Sequence, residues 1–260
     1  MSRPRAHPHQ TPRKGWTVLF FAAALAVTAG AIAQRVSGMG FALVAAPFFI
    51  LLFGPFEGVL LINAGGALSS MLVFLQTRNG VNWRQYFLLI IPAMMAIVPG
   101  ALITIYLNRT TLQLVLGILL IVALIVSILV SYTKHQLNQG AVAILFGGAS
   151  GFMSATIGVG GPAVGIYGVL TRWEQQEFAS TLQPYFFTLG ASSFLTKIIL
   201  TGELPDVSPW IWPSIVLCTL IGLAIGKRLQ PHIRSEVARN IVIVICLAGA
   251  LATIIDALTP

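Results

Sequence analysis

Two glycine-rich interruptions hold the residues of this 260-residue chain best placed to do chemistry. The first reads Arg35-Val36-Ser37-Gly38-Met39-Gly40, the second Gly158-Val159-Gly160-Gly161-Pro162. Each lies between apolar runs, and the pieces that follow, near 41–53 and 162–170, are too short to cross a bilayer comfortably alone. Glycine adopts positive φ and lets a ligand approach the main chain closely, and Pro162 suits the first turn of a helix. A helix start presents unpaired N–H groups and a partial positive charge. Two such starts meeting in mid-membrane would bind an anion through the amides of Gly38, Gly40, Gly160 and Gly161. Bare amides cannot face lipid, so the breaks must line a cavity or be buried in protein. The competing reading is that these glycines only let helices pack closely.

Arg35 is the one basic residue enclosed in the first break, and a cation at that depth usually marks a pathway. Its alternative is a long side chain that snorkels to an interface. Asn63 and Gln183 sit in apolar runs of the two halves of the chain and are expected to orient a ligand, although helix-to-helix hydrogen bonding is the everyday use of such residues. Lys197, near one end of the run 178–200, is expected to snorkel to the membrane surface.

The remaining polar chemistry is sparse. All seven acids (Glu57, Glu174, Glu177, Glu203, Asp206, Glu236 and Asp256) fall in or near connections or helix ends, and the histidines His7, His9, His135 and His232 lie outside the apolar runs. A metal centre needs three or four convergent ligands, and acid–base catalysis needs a titratable group beside the substrate. Neither is expected at depth, so no metal, no cofactor and no enzyme activity is expected. A carboxylate proton relay is also missing. Cys218 and Cys246 read as small core residues.

The elements that must position these residues follow from composition. The chain is 57% hydrophobic and 8% charged, whereas soluble domains carry about a quarter charged residues. The apolar runs lie near 16–34, 41–53, 58–75, 85–107, 113–132, 141–157, 162–170, 178–200, 210–229 and 237–258. The fold class is all-α, a polytopic membrane protein. Gly30 and Gly151, Gly40 and Gly161, and Ala42 and Ala163 recur at an offset of 121, and Gly100 and Gly222 at 122. Each half reads as a Gly-broken helix or hairpin followed by three transmembrane helices. The expected divisions are a disordered basic arm over 1–15, a first repeat over 16–135 and a second over 136–260. The net charge of +8 sits in short connections, which points to positive-inside topology rather than nucleic acid. Hairpins that enter and leave on one side put the clusters Arg78/Arg84, Lys134/His135 and Lys227/Arg228/Arg234/Arg239 on one face of the membrane and Glu203/Asp206 on the other. The basic arm then lies on the acidic side. A first break that spans once would reverse that.

The stretch from the first break through Ala42 to Pro47, and above all Gly158-Val159-Gly160-Gly161-Pro162, resembles the sulfite exporter TauE/SafE family, also called toluene sulfonate uptake permeases. The likeness runs through the two-half layout from about residue 20 to residue 258. It implies a multi-pass transporter in the bacterial inner membrane for small, often sulfur-containing anions such as sulfite, sulfonates or sulfoacetate. The family's glycine motif maps onto Ser37, Gly38 and Gly40, and onto Gly158, Gly160, Gly161 and Pro162. The first half departs from it, being poorer in glycine and preceded by Arg35. The expected substrate site is thus Arg35, Ser37, Gly38, Gly40, Asn63, Gly158, Gly160, Gly161 and Gln183, with a sulfur oxyanion between the breaks. The alternatives are an anion channel with the same ligands and a membrane-embedded enzyme or scaffold. The expected partners are the small anion and the lipid bilayer, with homodimer assembly left open.

Overall fold

A computed structural model describes residues 13–131, 139–233 and 235–258. Its helices are α1 (Arg13–Ser37), α2 (Phe41–Phe53), α3 (Pro55–Thr77), α4 (Trp83–Tyr106), α5 (Arg109–Ser131), α6 (Gln139–Ile157), α7 (Gly161–Leu170), α8 (Gln175–Thr201), α9 (Ile211–Leu229) and α10 (Ser235–Leu258), with a 3-10 turn over Arg78–Gly80. Local chemistry sets several boundaries. Pro55 opens α3 directly after Gly54, whose φ of 88° needs glycine. The Asn82 side chain accepts from the Gln85 N–H and caps α4. Gly202 closes α8 in the left-handed conformation. The expected arm over 1–15 is shortened at its end, because α1 already includes Arg13, Lys14 and Gly15. Residues 1–12, the expected division at 135/136, the Lys134/His135 cluster and Arg234 lie outside the described residues.

An apolar core is wrapped in an apolar exterior, with a few polar side chains enclosed among the helices. Phe21, Leu25, Met95 and Ile199 are each more than two-thirds exposed, while Gln34, Asn63, Ser154, Gln183, Ser193 and Lys197 are buried. Apolar side chains on the outside and polar ones within suit a lipid solvent. Among the described residues, α1, α3, α4, α9 and α10 are long and apolar enough to cross a bilayer. At 27 residues α8 is of similar reach, about 40 Å at 1.5 Å per residue.

Close glycine contacts fix the directions of the helices. Gly30 lies on Phe41 and Ala45, and Gly40 on Ala33, so α1 and α2 form an antiparallel hairpin. Gly147 lies on Leu89, Gly151 on Ala93 and Gly100 on Phe152, so α6 runs parallel to α4. The Tyr167 hydroxyl donates to Gln85 Oε1 at 2.6 Å, which brings α7 back toward the start of α4. Gly222 lies on Thr28 and Ala31, and Gly226 on Arg35, so α9 runs parallel to α1. The α1/α2 hairpin therefore enters from the end that carries Glu203 and Asp206, the acidic end. The α6/α7 hairpin enters from the opposite, basic end, where Arg78, Arg84, Arg172, Lys227 and Arg228 lie. Both bend back within the bundle, which is the hairpin alternative of the two topologies weighed from sequence.

Corresponding boundaries in the two series sit 120 residues apart. The pairs are Ser37 and Ile157 at the ends of α1 and α6, Phe41 and Gly161 at the starts of α2 and α7, and Pro55 and Gln175 at the starts of α3 and α8. The offset of 121 expected from glycine matches is thus one residue too long here. Gly30 packs on α2 of its own hairpin, at Phe41 and Ala45, whereas Gly151 packs on α4 at Ala93.

Candidate functional site

The two breaks are built alike. Gly38 and Gly158 have φ of 84° and 73°, and each donates its N–H four residues back, to Gln34 O at 2.8 Å and Ser154 O at 3.0 Å. Each thus closes the incoming helix in the left-handed conformation that glycine adopts without strain. Two residues on, Gly40 (φ −88°, ψ −17°) and Gly160 (φ −90°, ψ −11°) lead into α2 and α7, and neither supplies a side-chain cap. Both are also points of close approach. A Cβ on Gly40 would lie 2.5 Å from Ala33 Cβ, and one on Gly160 would lie 2.6 Å from Ser150 Oγ. The glycines therefore serve tight packing as well as the bend.

The starts of α2 and α7 border one small cavity of about 40 Å³, lined by Met39 and Phe41 from one break, Gly158 to Gly161 from the other, and Asn63 and Ser154 between them. A buried water needs roughly 10–15 Å³ measured this way, so the space suits a few waters or one compact polyatomic ion. Both helix dipoles point their positive ends at it.

Gln34 separates this cavity from a second, much larger one and lines both. Its Nε2 donates to Gln183 Oε1 at 3.0 Å and to Ser70 Oγ at 3.2 Å. Its Oε1 accepts from the Phe41 N–H at 3.2 Å, so an amide carbonyl already occupies the first free amide of α2. Gln183 Nε2 in turn donates to Gly38 O at 3.0 Å. On the other side Asn63 Nδ2 donates to Ser154 O and Ser154 Oγ donates to Asn63 Oδ1, both at 3.2 Å. Each incoming helix is thus tied, four residues before its left-handed glycine, to an amide side chain of α3 or α8.

The larger cavity, about 650 Å³, lies toward the basic end and is lined by Arg35, Ser37, Gly38, Gln76, Gln176 and Gln183 among others. Arg35 packs its stem on Gly226, and its Nε hydrogen-bonds to nothing among the described residues. At the rim, Glu174 caps α8 by accepting from the Gln176 and Glu177 amides at 2.9 and 2.7 Å. Those two bonds hold its carboxyl below the usual range.

The structure therefore divides the residues singled out from sequence. Asn63, Gly158, Gly160 and Gly161 line the small cavity, and Arg35, Ser37, Gly38 and Gln183 line the large one. Gly40 is the capping residue between them. Asn63 and Gln183 stand 120 residues apart and do not face one hollow together. The reading of Lys197 as a snorkelling residue is overturned: it has no exposed surface at all. The reason is its place on the inner face of α8, in line with Gln176, Gln183 and Gly190. Sequence reasoning passed over Gln34, Ser150 and Ser154. Gln34 looked like the polar edge of an apolar run, and serines are commonplace inside membrane helices.

Compared with known proteins, the chain matches the family model described as Sulfite exporter TauE/SafE over residues 22–253. No curated protein and no solved structure matches it.

Proposed function

The chain belongs to the sulfite exporter TauE/SafE family, and from that premise we propose that it carries a small sulfur oxyanion through the cavity between its two breaks. One observation carries the reading: two helix starts without side-chain caps on their capping residues, from hairpins of opposite direction, border the same small hollow. Backbone N–H groups and helix dipoles there favour negative charge. Charge-assisted hydrogen bonds favour an oxyanion over a neutral solute. The size of the hollow favours sulfite or a compact sulfonate head over an aromatic sulfonate.

In this reading the halves are inverted repeats, the basic end faces the cytoplasm of a bacterial cell, and the large cavity is the cytoplasmic vestibule. Arg35 draws anions into that vestibule. Gln34 and Gln183 close the passage from vestibule to hollow, which favours a carrier over a continuous channel. Transport requires them to part, and the opposite side must open at another time.

The test is counterflow in proteoliposomes. Labelled sulfite should accumulate transiently against unlabelled sulfite, saturably, with thiosulfate or sulfoacetate competing. Absence of counterflow for every sulfur oxyanion tried, with the protein folded, would overturn the proposal.

A further inference from the structure

Lys197 is completely buried, with no hydrogen-bond acceptor for its amine among the described residues. Its Nζ stands over the Phe56 ring, 5.7 Å from the centroid. An ammonium carries three donors, and burying one unpaired inside a membrane protein is costly and usually functional.

Its position gives that cost a direction. Gln176, Gln183, Gly190 and Lys197 are spaced seven apart on α8, close to two helical turns each, so they form one stripe. Gln176 and Gln183 line the vestibule, and Gly190 lines the small hollow. Ser193, one turn before Lys197, donates to Ser154 Oγ at 3.2 Å, and Ser154 lines the hollow too. Lys197 lies seven residues beyond Gly190, about 10 Å further along the helix, toward the acidic end. Arg35 lines the large cavity on the basic side of the hollow, and Lys197 lies beyond the hollow toward the acidic end.

We propose that Lys197 is a second anion-binding residue, on the acidic side of the hollow, where its ammonium contacts the oxyanion as it passes between the hollow and that face. The inference rests on the transport reading above and adds a residue to its path. An arriving oxyanion supplies the acceptors Nζ lacks, and Phe56 covers the ammonium between visits. The hollow itself contains no lysine or arginine, so a cation on each side lets the anion leave the amides without losing all electrostatic compensation.

The experiment uses the full-length protein in right-side-out and inside-out vesicles, with labelled sulfite as probe. Lys197→Met should melt no lower than wild type in detergent, because it removes a buried unpaired charge. Its KM for sulfite presented at the acidic end should rise at least tenfold, with KM at the basic end changed less than twofold. Lys197→Arg should restore at least a third of the lost flux. A merely structural lysine would alter stability or both sides alike. Wild-type KM at the acidic end in Lys197→Met would overturn the inference alone, as would an equal rise at both ends. If Lys197→Met does not fold, Lys197→Gln takes its place with the same outcomes. Absence of sulfite flux in the wild type would instead overturn the transport reading, and this inference with it.

Discussion

The breaks at Gly38 and Gly158 share their turn geometry and differ in what stands beside it. Four residues before the glycine, the first has Gln34 and the second Ser154. Gln34 is long enough to reach past the turn, so its Oε1 takes the Phe41 amide while its Nε2 holds Gln183 and Ser70. Ser154 is short, and it stops at Asn63 and Ser193 on the neighbouring helices. The start of α2 is therefore partly occupied by the protein itself, whereas no side chain caps α7. On the transport reading proposed above, two alike backbone turns serve as a gate on one side and an open amide cradle on the other. The difference lies in side-chain length at one position.

Placing a carboxylate at the gate tests that contrast most severely. Gln34→Glu keeps the shape and still accepts from the Phe41 N–H, and a negative charge at a helix start is favourable. The change gives up the donations from Nε2 to Gln183 Oε1 and Ser70 Oγ, so the protein should fold with a lowered melting temperature. An anion in the adjoining hollow would meet a like charge, worth about 4 kcal/mol at ~4 Å with an effective dielectric of ~20. Sulfite affinity, read by thermal shift and counterflow, should fall by two orders of magnitude or more. Unchanged affinity would show that the hollow is not where the anion sits.

The second break is sharpened by contrasting neighbouring glycines. A Cβ on Gly160 would meet Ser150 Oγ at 2.6 Å and Ser150 O at 2.8 Å, whereas one on Gly161 would meet nothing nearer than Met39 O at 3.6 Å. Gly161→Ala should therefore fold normally and lose room in a hollow of about 40 Å³. The expected result is roughly a tenfold rise in KM for sulfite without a fall in melting temperature, a loss of about 1.4 kcal/mol in binding. Gly160→Ala should instead lower expression and melting temperature. Equal behaviour of the two would remove the distinction between packing and lining glycines.

Much of this arrangement is readable from residue types, because lipid sharpens the contrast between apolar runs and their interruptions. The apolar run at 41–53 coincides with α2, and the break before Pro162 ends within one residue of the start of α7. Lys197 and Gln34 escaped for different reasons. A lysine near a helix end reads as an interface anchor unless the seven-residue stripe through Gln176, Gln183 and Gly190 is followed to it. Gln34 needs the turn geometry itself, since only a bend at Gly38 carries the chain back so that its carbonyl reaches Phe41. Glycine identity pairs positions 121 apart, whereas the left-handed turns at Gly38 and Gly158 stand 120 apart.

Ser154→Ala probes the shorter counterpart of Gln34. It removes the bonds to Asn63 Oδ1 and from Ser193 Oγ, while the main-chain bond from Asn63 Nδ2 to Ser154 O survives. Hydrogen bonds between membrane helices are worth about 0.6 kcal/mol on average, so the melting temperature should drop slightly. KM for sulfite should move less than threefold. A change as large as that of Gln34→Glu would mean that the second break is gated as well.

The smallest effect is expected at the starts of α3 and α8, which again solve one problem in two ways. Gly54 leads into α3 through a positive φ and Pro55, with no side-chain cap. Glu174, 120 residues later, caps α8 with its carboxylate. Because the two amide bonds hold the Glu174 pKa below its ordinary value, its stabilisation is complete above the ordinary carboxylate range. It is lost as pH falls through the lowered folded value. Glu174 is fully exposed to solvent at the vestibule rim, so the loss should be slight and partly screened by salt. Wild type minus Glu174→Gln in melting temperature should be small and positive at pH 7 and should vanish under acid conditions that protonate the cap. A difference that persists undiminished in acid would assign the cap's contribution to side-chain shape rather than to charge, and would leave α3 and α8 alike in needing no charge to start.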